Sequence, residues 1–233
     1  MTTRLQFWTL ARLTGLLLLI VTLTHMAGFQ IASRFVIAGD FAATGAKIAQ
    51  NESLYRLALL SYGASSLLSV GLAVTFALWI APFSRLAAGF VLGWRLFEAV
   101  CASVAWAIRF ALVDNQTTPN LLGQAGAEAL HRVLRDISNA AFDLGAIGLA
   151  LATLIGFFIL FQARLLPRLL SAIAIVGAIL ILGSSIVTLG WPDTHIPSSM
   201  AFAVTLLSNL GIGVWLLVRG DRSQQAKLLA QQA

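Results

Sequence analysis

Five stretches of this 233-residue chain run for 20 residues or more without a charged side chain: Leu13–Ser33, Leu57–Ser84, Leu144–Ala163, Leu169–Pro192 and Thr194–Val218. A sixth, Leu86–Leu112, is interrupted only by Arg95, Glu98 and Arg109. A helix rises 1.5 Å per residue, so about 20 apolar residues cross the ~30 Å hydrocarbon core of a bilayer. Backbone polar groups in lipid must be satisfied within the protein, which leaves helices or closed barrels as spanning structures. Barrel strands alternate over ~10 residues, and these runs do not. The expected fold is all-α: one domain over residues 1–233, a bundle of six transmembrane helices with short interfacial helices on the outer side.

Composition agrees. Hydrophobic residues make up 59% and charged residues 10%, against roughly 25% charged in a soluble domain. A surface so poor in charge excludes a soluble enzyme, and a mean hydropathy of +0.89 excludes disorder. The net charge of +6 would suggest nucleic acid in a soluble protein. Here the basic residues are scattered over loops and helix ends, so they set topology and no nucleic-acid partner is expected. Cys101 is the single cysteine, which excludes an internal disulfide, and its apolar surroundings mark it as buried filler.

The first apolar run follows Arg4 and Arg12 but continues for about 19 residues, beyond the 7–15 of a signal-peptide core. It is read as a permanent span. Orientation follows the short turns. Arg85 and the Arg164–Arg168 pair flank two of them, whereas Trp191–Pro197 holds no Lys or Arg. Both termini are therefore expected in the cytoplasm. The outer side carries two longer connections, Ser33–Ser53 and Val113–Asp136. In the first, Asp40 is placed to cap a short helix. In the second, Leu122, Leu130, Val133, Leu134 and Ile137 recur at helical spacing, opposite Gln124, Glu128, Arg132, Arg135 and Asp136. That pattern predicts an amphipathic interfacial helix running into the fourth span. Small residues at Ser61, Ser65, Ser69, Gly71, Thr75, Gly145, Gly148, Gly177 and Gly183 read as seams where helices approach closely.

Several short motifs recur in a recognisable order. Gly39–Asp40–Phe41–Ala42–Ala43–Thr44, Ile48, Asn51–Glu52 and Tyr55–Arg56 precede the second span. Trp94–Arg95–Leu96–Phe97–Glu98–Ala99 lies in the third, Phe142–Asp143–Leu144–Gly145 in the fourth, and Leu165–Leu166–Pro167–Arg168 at the following turn. From about Arg12 to Val218 the chain resembles the bacterial integral-membrane proteins of domain-of-unknown-function family 4386. The resemblance implies a bacterial inner-membrane location. It brings no activity, substrate, cofactor or catalytic residue.

Charges within a span cost ~2.5–3.5 kcal/mol each near its centre, so they must face the bundle interior. Arg95 and Glu98 share one face of the third span, and Ala102, Trp106 and Arg109 continue it. The readings are an ion or proton pathway, an anchor for a polar ligand group, or a neutralised pair that fixes helix packing. Asp143 and Asn139 on the fourth span are expected at the depth of Arg109, which suggests an Arg109–Asp143 pair. Ser208 and Asn209 add polar groups to the sixth. His25 within the first span, His131 in the amphipathic segment and His195 before the sixth span all fall on the outer side. Three histidines with an open position suit a catalytic zinc, and two on facing helices suit haem. No HxxxH or HExxH spacing ties two of them to one helix face, so the fold alone would have to bring them together. Walker A, GxGxxG and GxSxG patterns are absent.

The leading functional expectation is a binding or transport protein. It would hold a small amphiphilic or lipidic ligand in a polar cavity lined by His25, Arg95, Glu98, Arg109 and Asp143, opening to the outer face. The second is a membrane metal or haem enzyme using His25, His131 and His195. The third is an accessory subunit of a larger membrane complex. Membrane lipids are the expected surroundings. No internal repeat is evident, so a two-repeat transport mechanism would need a homo-oligomer.

Overall fold

A computed structural model describes residues 2–117, 123–191, 194 and 198–219. Their regular structure consists of seven helices: α1 (Thr2–Ser33), α2 (Phe41–Gln50), α3 (Glu52–Ile80), α4 (Arg85–Thr117), α5 (Gly123–Ala163), α6 (Arg168–Gly190) and α7 (Ser198–Arg219). All except α2 are long and apolar enough to cross a membrane, as the charge-free runs predict. The chain is an all-α, multi-pass membrane protein.

The six long helices close into a ring in the order α1, α3, α4, α5, α6, α7, with α7 returning to α1. Their outward faces carry largely exposed leucines such as Leu67, Leu86, Leu169 and Leu207. That is the inverse of a water-soluble surface and suits lipid contact. Glycines allow the closest approaches. A Cβ on Gly15 of α1 would stand 2.6 Å from Leu216 Cβ of α7, and one on Gly213 would stand 2.5 Å from Leu19 Cγ. Gly145 and Gly148 of α5 meet the α4 backbone near Glu98 and Trp94 in the same way, and Gly177 of α6 meets Thr205 of α7. Gly145, Gly148 and Gly177 are seams read from the sequence, whereas Gly15 and Gly213 are not among those positions. Gly183 differs, because nothing lies within 4 Å of its missing Cβ.

The two ends of the ring are built differently. One end holds the short connections 81–84 and 164–167. There α5 stops where Arg164 adopts φ 54°, a left-handed conformation that ends a helix. Pro167 then caps the start of α6 without a side-chain hydrogen bond. Between them Leu165 and Leu166 fold inward and are buried with Trp79, Ile80, Leu160 and Leu216.

The opposite end carries α2. Asp40 caps this helix as expected, its Oδ1 accepting from the Ala43 N–H at 2.8 Å. Thr44 Oγ1 donates to the Asp40 carbonyl at 2.7 Å and accepts from the Ile37 N–H at 3.0 Å, which fixes the approach loop. Ile48 is fully buried beside Phe35, Tyr55 and Val113, so α2 seats on the ends of α3 and α4. The second amphipathic segment is continuous with the fourth span. Together they form the 41-residue α5, ~60 Å long at 1.5 Å per residue. This helix contains no proline to break it. Phe41 of α2 packs on His131 of α5, with ring centroids 5.2 Å apart.

Candidate functional site: a cavity inside the helix ring

The ring encloses a cavity of about 570 Å³, walled by α1, α3, α4, α5 and α7, with α6 behind them. On α1 the wall runs from Thr14 to Gln30, so the cavity extends along much of the bundle, ~24 Å at 1.5 Å per residue. Most of the wall is aliphatic or aromatic carbon, which differs from the polar cavity expected from sequence. The reason lies in the faces of α3, α5 and α7. They contribute Leu72, Phe76, Phe157 and Leu206, while charges reach the cavity only from α4.

The α4 face is the stripe read from the sequence. Arg95, Glu98, Ala102, Trp106 and Arg109 all line the cavity. Helical spacing puts these residues on one side, and the cost of charge in lipid turns that side inward. Arg95 Nη1 lies 2.9 Å from Glu98 Oε2, with both side chains mostly buried. The contact is side-on: Oε2 is buried yet receives no aligned hydrogen bond.

Toward the α2 end, four aromatic rings converge. Tyr62 of α3 stacks on Trp106 of α4, centroids 3.5 Å apart and planes 16° from parallel. The edge of His25 from α1 meets Tyr62 at 4.9 Å, and Phe142 of α5 lies 6.4 Å from both His25 and Trp106. Gly28 permits this arrangement, since a Cβ there would come within 2.8 Å of the Ala58 carbonyl and 3.0 Å of the Tyr62 ring. The Arg109 guanidinium lies 4.7 Å from the Trp106 centroid, a cation–π distance.

Arg109 is held by neutral partners. Its Nε donates to Ser138 Oγ at 2.9 Å and its Nη2 to Asn139 Oδ1 at 2.8 Å. Ser138, fully buried, donates in turn to the Ala105 carbonyl at 3.0 Å, which ties α5 to α4. This corrects the expected Arg109–Asp143 pair. The depth match between the two helices holds, but Asp143 lies one turn past Asn139, ~6 Å farther along α5. Asp143 is half-buried and does not line the cavity.

Other polar atoms of the wall have no protein partner. The indole N–H groups of Trp79 and Trp106 are buried and unbonded, as is Thr14 Oγ1. Buried indole donors normally find an acceptor. Ser65 and Ser69 line the cavity but donate back to their own helix, to the carbonyls of Tyr62 and Ser66. Ser61 is a true seam residue, donating across to the Thr24 carbonyl of α1 at 2.8 Å. Asn209 lines the cavity from α7.

The histidines are dispersed. His25 stands in the aromatic cluster. His131 packs on α2, outside the cavity wall, and His195 lies outside the described residues. Among the described residues no three His, Cys, Asp or Glu side chains are grouped as metal ligands.

The family model described as Domain of unknown function (DUF4386) matches residues 13–220. The chain belongs to this family. The match takes in α3 to α7 and most of α1, so every wall of the cavity falls within the DUF4386 region. No curated protein and no solved structure matches the chain.

The sequence pointed to the α4 stripe because charge in a span is conspicuous. It did not single out Tyr62, Trp79 or Phe142, whose residue types are ordinary in any membrane helix. Ser138 left only a weak signal, a hydroxyl beside Asn139 at the depth of an unpaired arginine.

Proposed function

We propose that this member of the DUF4386 family binds or transports a small amphiphilic or lipidic molecule in the cavity of its helix ring. The observation that supports this reading is the mismatch inside the wall. A largely apolar cavity of about 570 Å³, within the ~300–1,000 Å³ range of ligand pockets, keeps buried polar atoms of Trp79, Trp106 and Glu98 without hydrogen-bond partners. An amphiphile supplies both missing components, carbon for the wall and polar atoms for the unpaired groups. The reading includes a bacterial inner-membrane location and an opening toward the α2 end, taken as the outer face. The arginines around the 81–84 and 164–167 turns support that orientation.

The test is protein purified in mild detergent, with its bound small molecules extracted and identified by mass spectrometry. One amphiphile per protein, lost in Glu98→Gln while the bundle stays folded, is the expected result. The fold should survive because the amide oxygen still faces Arg95. Wild-type protein that is folded but empty overturns the reading and favours an accessory subunit of a larger complex. A Glu98→Gln chain that no longer folds makes the pair structural.

A further inference from the structure

The charges and dimensions of this cavity define a narrower ligand class than amphiphiles in general. Two cations and one anion line the wall, Arg95 and Arg109 against Glu98. Arg95 and Glu98 neutralise each other. Arg109 has no carboxylate within ion-pair distance among the described residues, and its bonds to Ser138 and Asn139 engage two of its five N–H groups. A guanidinium set in a largely apolar cavity wall without a counter-charge is a candidate counter-ion for a ligand. Of the two unbonded indole N–H groups in the wall, one belongs to Trp106, the ring against which Arg109 rests. Both groups are donors, and an anionic oxygen group is the acceptor they lack.

The rest of the cavity fixes the tail. A cavity of about 570 Å³ is within the ~300–1,000 Å³ of pockets that hold one small ligand, which suits one acyl chain and its headgroup. The ~24 Å length exceeds one leaflet of hydrocarbon, half of a ~30 Å core. Beyond Arg109 the wall holds the mutually neutralised Arg95–Glu98 pair among Leu72, Phe76, Phe157 and Leu216 toward the turn end.

We infer that the cavity takes a single-chain amphiphile with an anionic oxygen headgroup, carboxylate or phosphate monoester. The headgroup sits at Arg109 and Trp106, and the chain runs toward the turn end. This inference rests on the amphiphile reading above and is tested separately from it. Full-length protein in zwitterionic-lipid nanodiscs is titrated with ligands of one chain length: a fatty acid, a lysophosphatidate, the fatty alcohol and the alkylammonium. Bound ligand is read by displacement of a dibrominated fatty acid that quenches tryptophan fluorescence. The two anions are expected to displace the quencher at least 10-fold more tightly than the alcohol, with the ammonium weakest. Their order tells a free fatty acid from a phosphate headgroup.

Arg109→Gln should abolish the preference for anions while leaving alcohol binding within about twofold. Trp106→Phe keeps the ring and removes the N–H, and should cost the anions severalfold. If Arg109→Gln fails to fold, the wild-type headgroup series together with Trp106→Phe still decides. Alcohol or ammonium binding as tight as the acid overturns the anionic inference and leaves the amphiphile reading in place. Absence of any displaceable binding overturns both.

Discussion

Toward the turns, Trp79, Ile80, Leu160, Leu165 and Leu216 pack until almost none of their surface is exposed. Toward α2, the interior is a mixture: Tyr62 on Trp106, Arg109 on Trp106, and Arg109 to Ser138 and Asn139, with an exposed Arg56–Asp114 pair joining the ends of α3 and α4. One half is closed by carbon contacts and the other by directional bonds. In lipid, association between helices depends on packing and interhelical hydrogen bonds, because the tails are as apolar as leucine. The two halves separate these two kinds of cohesion within one bundle. Carbon packing tolerates no gap but has little directional preference. Directional bonds accept an incomplete fit: there the Trp106 N–H is unbonded and the Arg109 guanidinium has no carboxylate among the described residues, while the carbon half keeps one unbonded donor of its own, the Trp79 N–H.

The comparison is tested most severely at the boundary between the halves, where Arg95 meets Glu98. Arg95→Leu leaves a buried carboxylate without its cation and should destabilise the bundle by about 3 kcal/mol. Replacing both with leucine should restore most of that stability. Unfolding in lipid bicelles, followed by steric trapping, measures both, and an equal loss in the double variant would show that the charges themselves are not at issue. Leu160→Ala, in the carbon half, should cost about 2 kcal/mol through lost packing. Its effect should be independent of bound ligand. Ser138→Ala, in the polar half, should cost only about 1 kcal/mol, because membrane hydrogen bonds are individually modest. It should also weaken ligand binding by releasing Arg109. A Ser138→Ala protein with full affinity would remove Ser138 from the positioning of that cation.

These halves were unequally legible in the sequence. The six spans, the Asp40 cap and the α4 stripe all follow from cost: charge is expensive in lipid, so its placement is informative. The carbon half offered no such signal, since Leu160 reads like its exposed neighbour Phe158 until the helices are assembled. The Arg109 partner was misassigned because electrostatic complementarity favours Asp143, whereas reach along α5 selects Ser138 and Asn139. The aromatic cluster was missed for a related reason. Its members come from four helices, so no local spacing contains it. The glycines gave a mixed result: Gly145 and Gly148 mark a true seam, but Gly183 has the same sequence character and no neighbour.

The contact of α1 with α7 at Gly15 and Gly213 has a consequence in time. Among the described spans, the first and the last in chain order are the ones that close the ring. Until α7 arrives, α1, α3, α4 and α5 form an open trough, with Arg109, Trp106 and the Arg95–Glu98 pair facing lipid or the insertion machinery. The cavity wall is therefore completed only when the last of the described spans packs against the first.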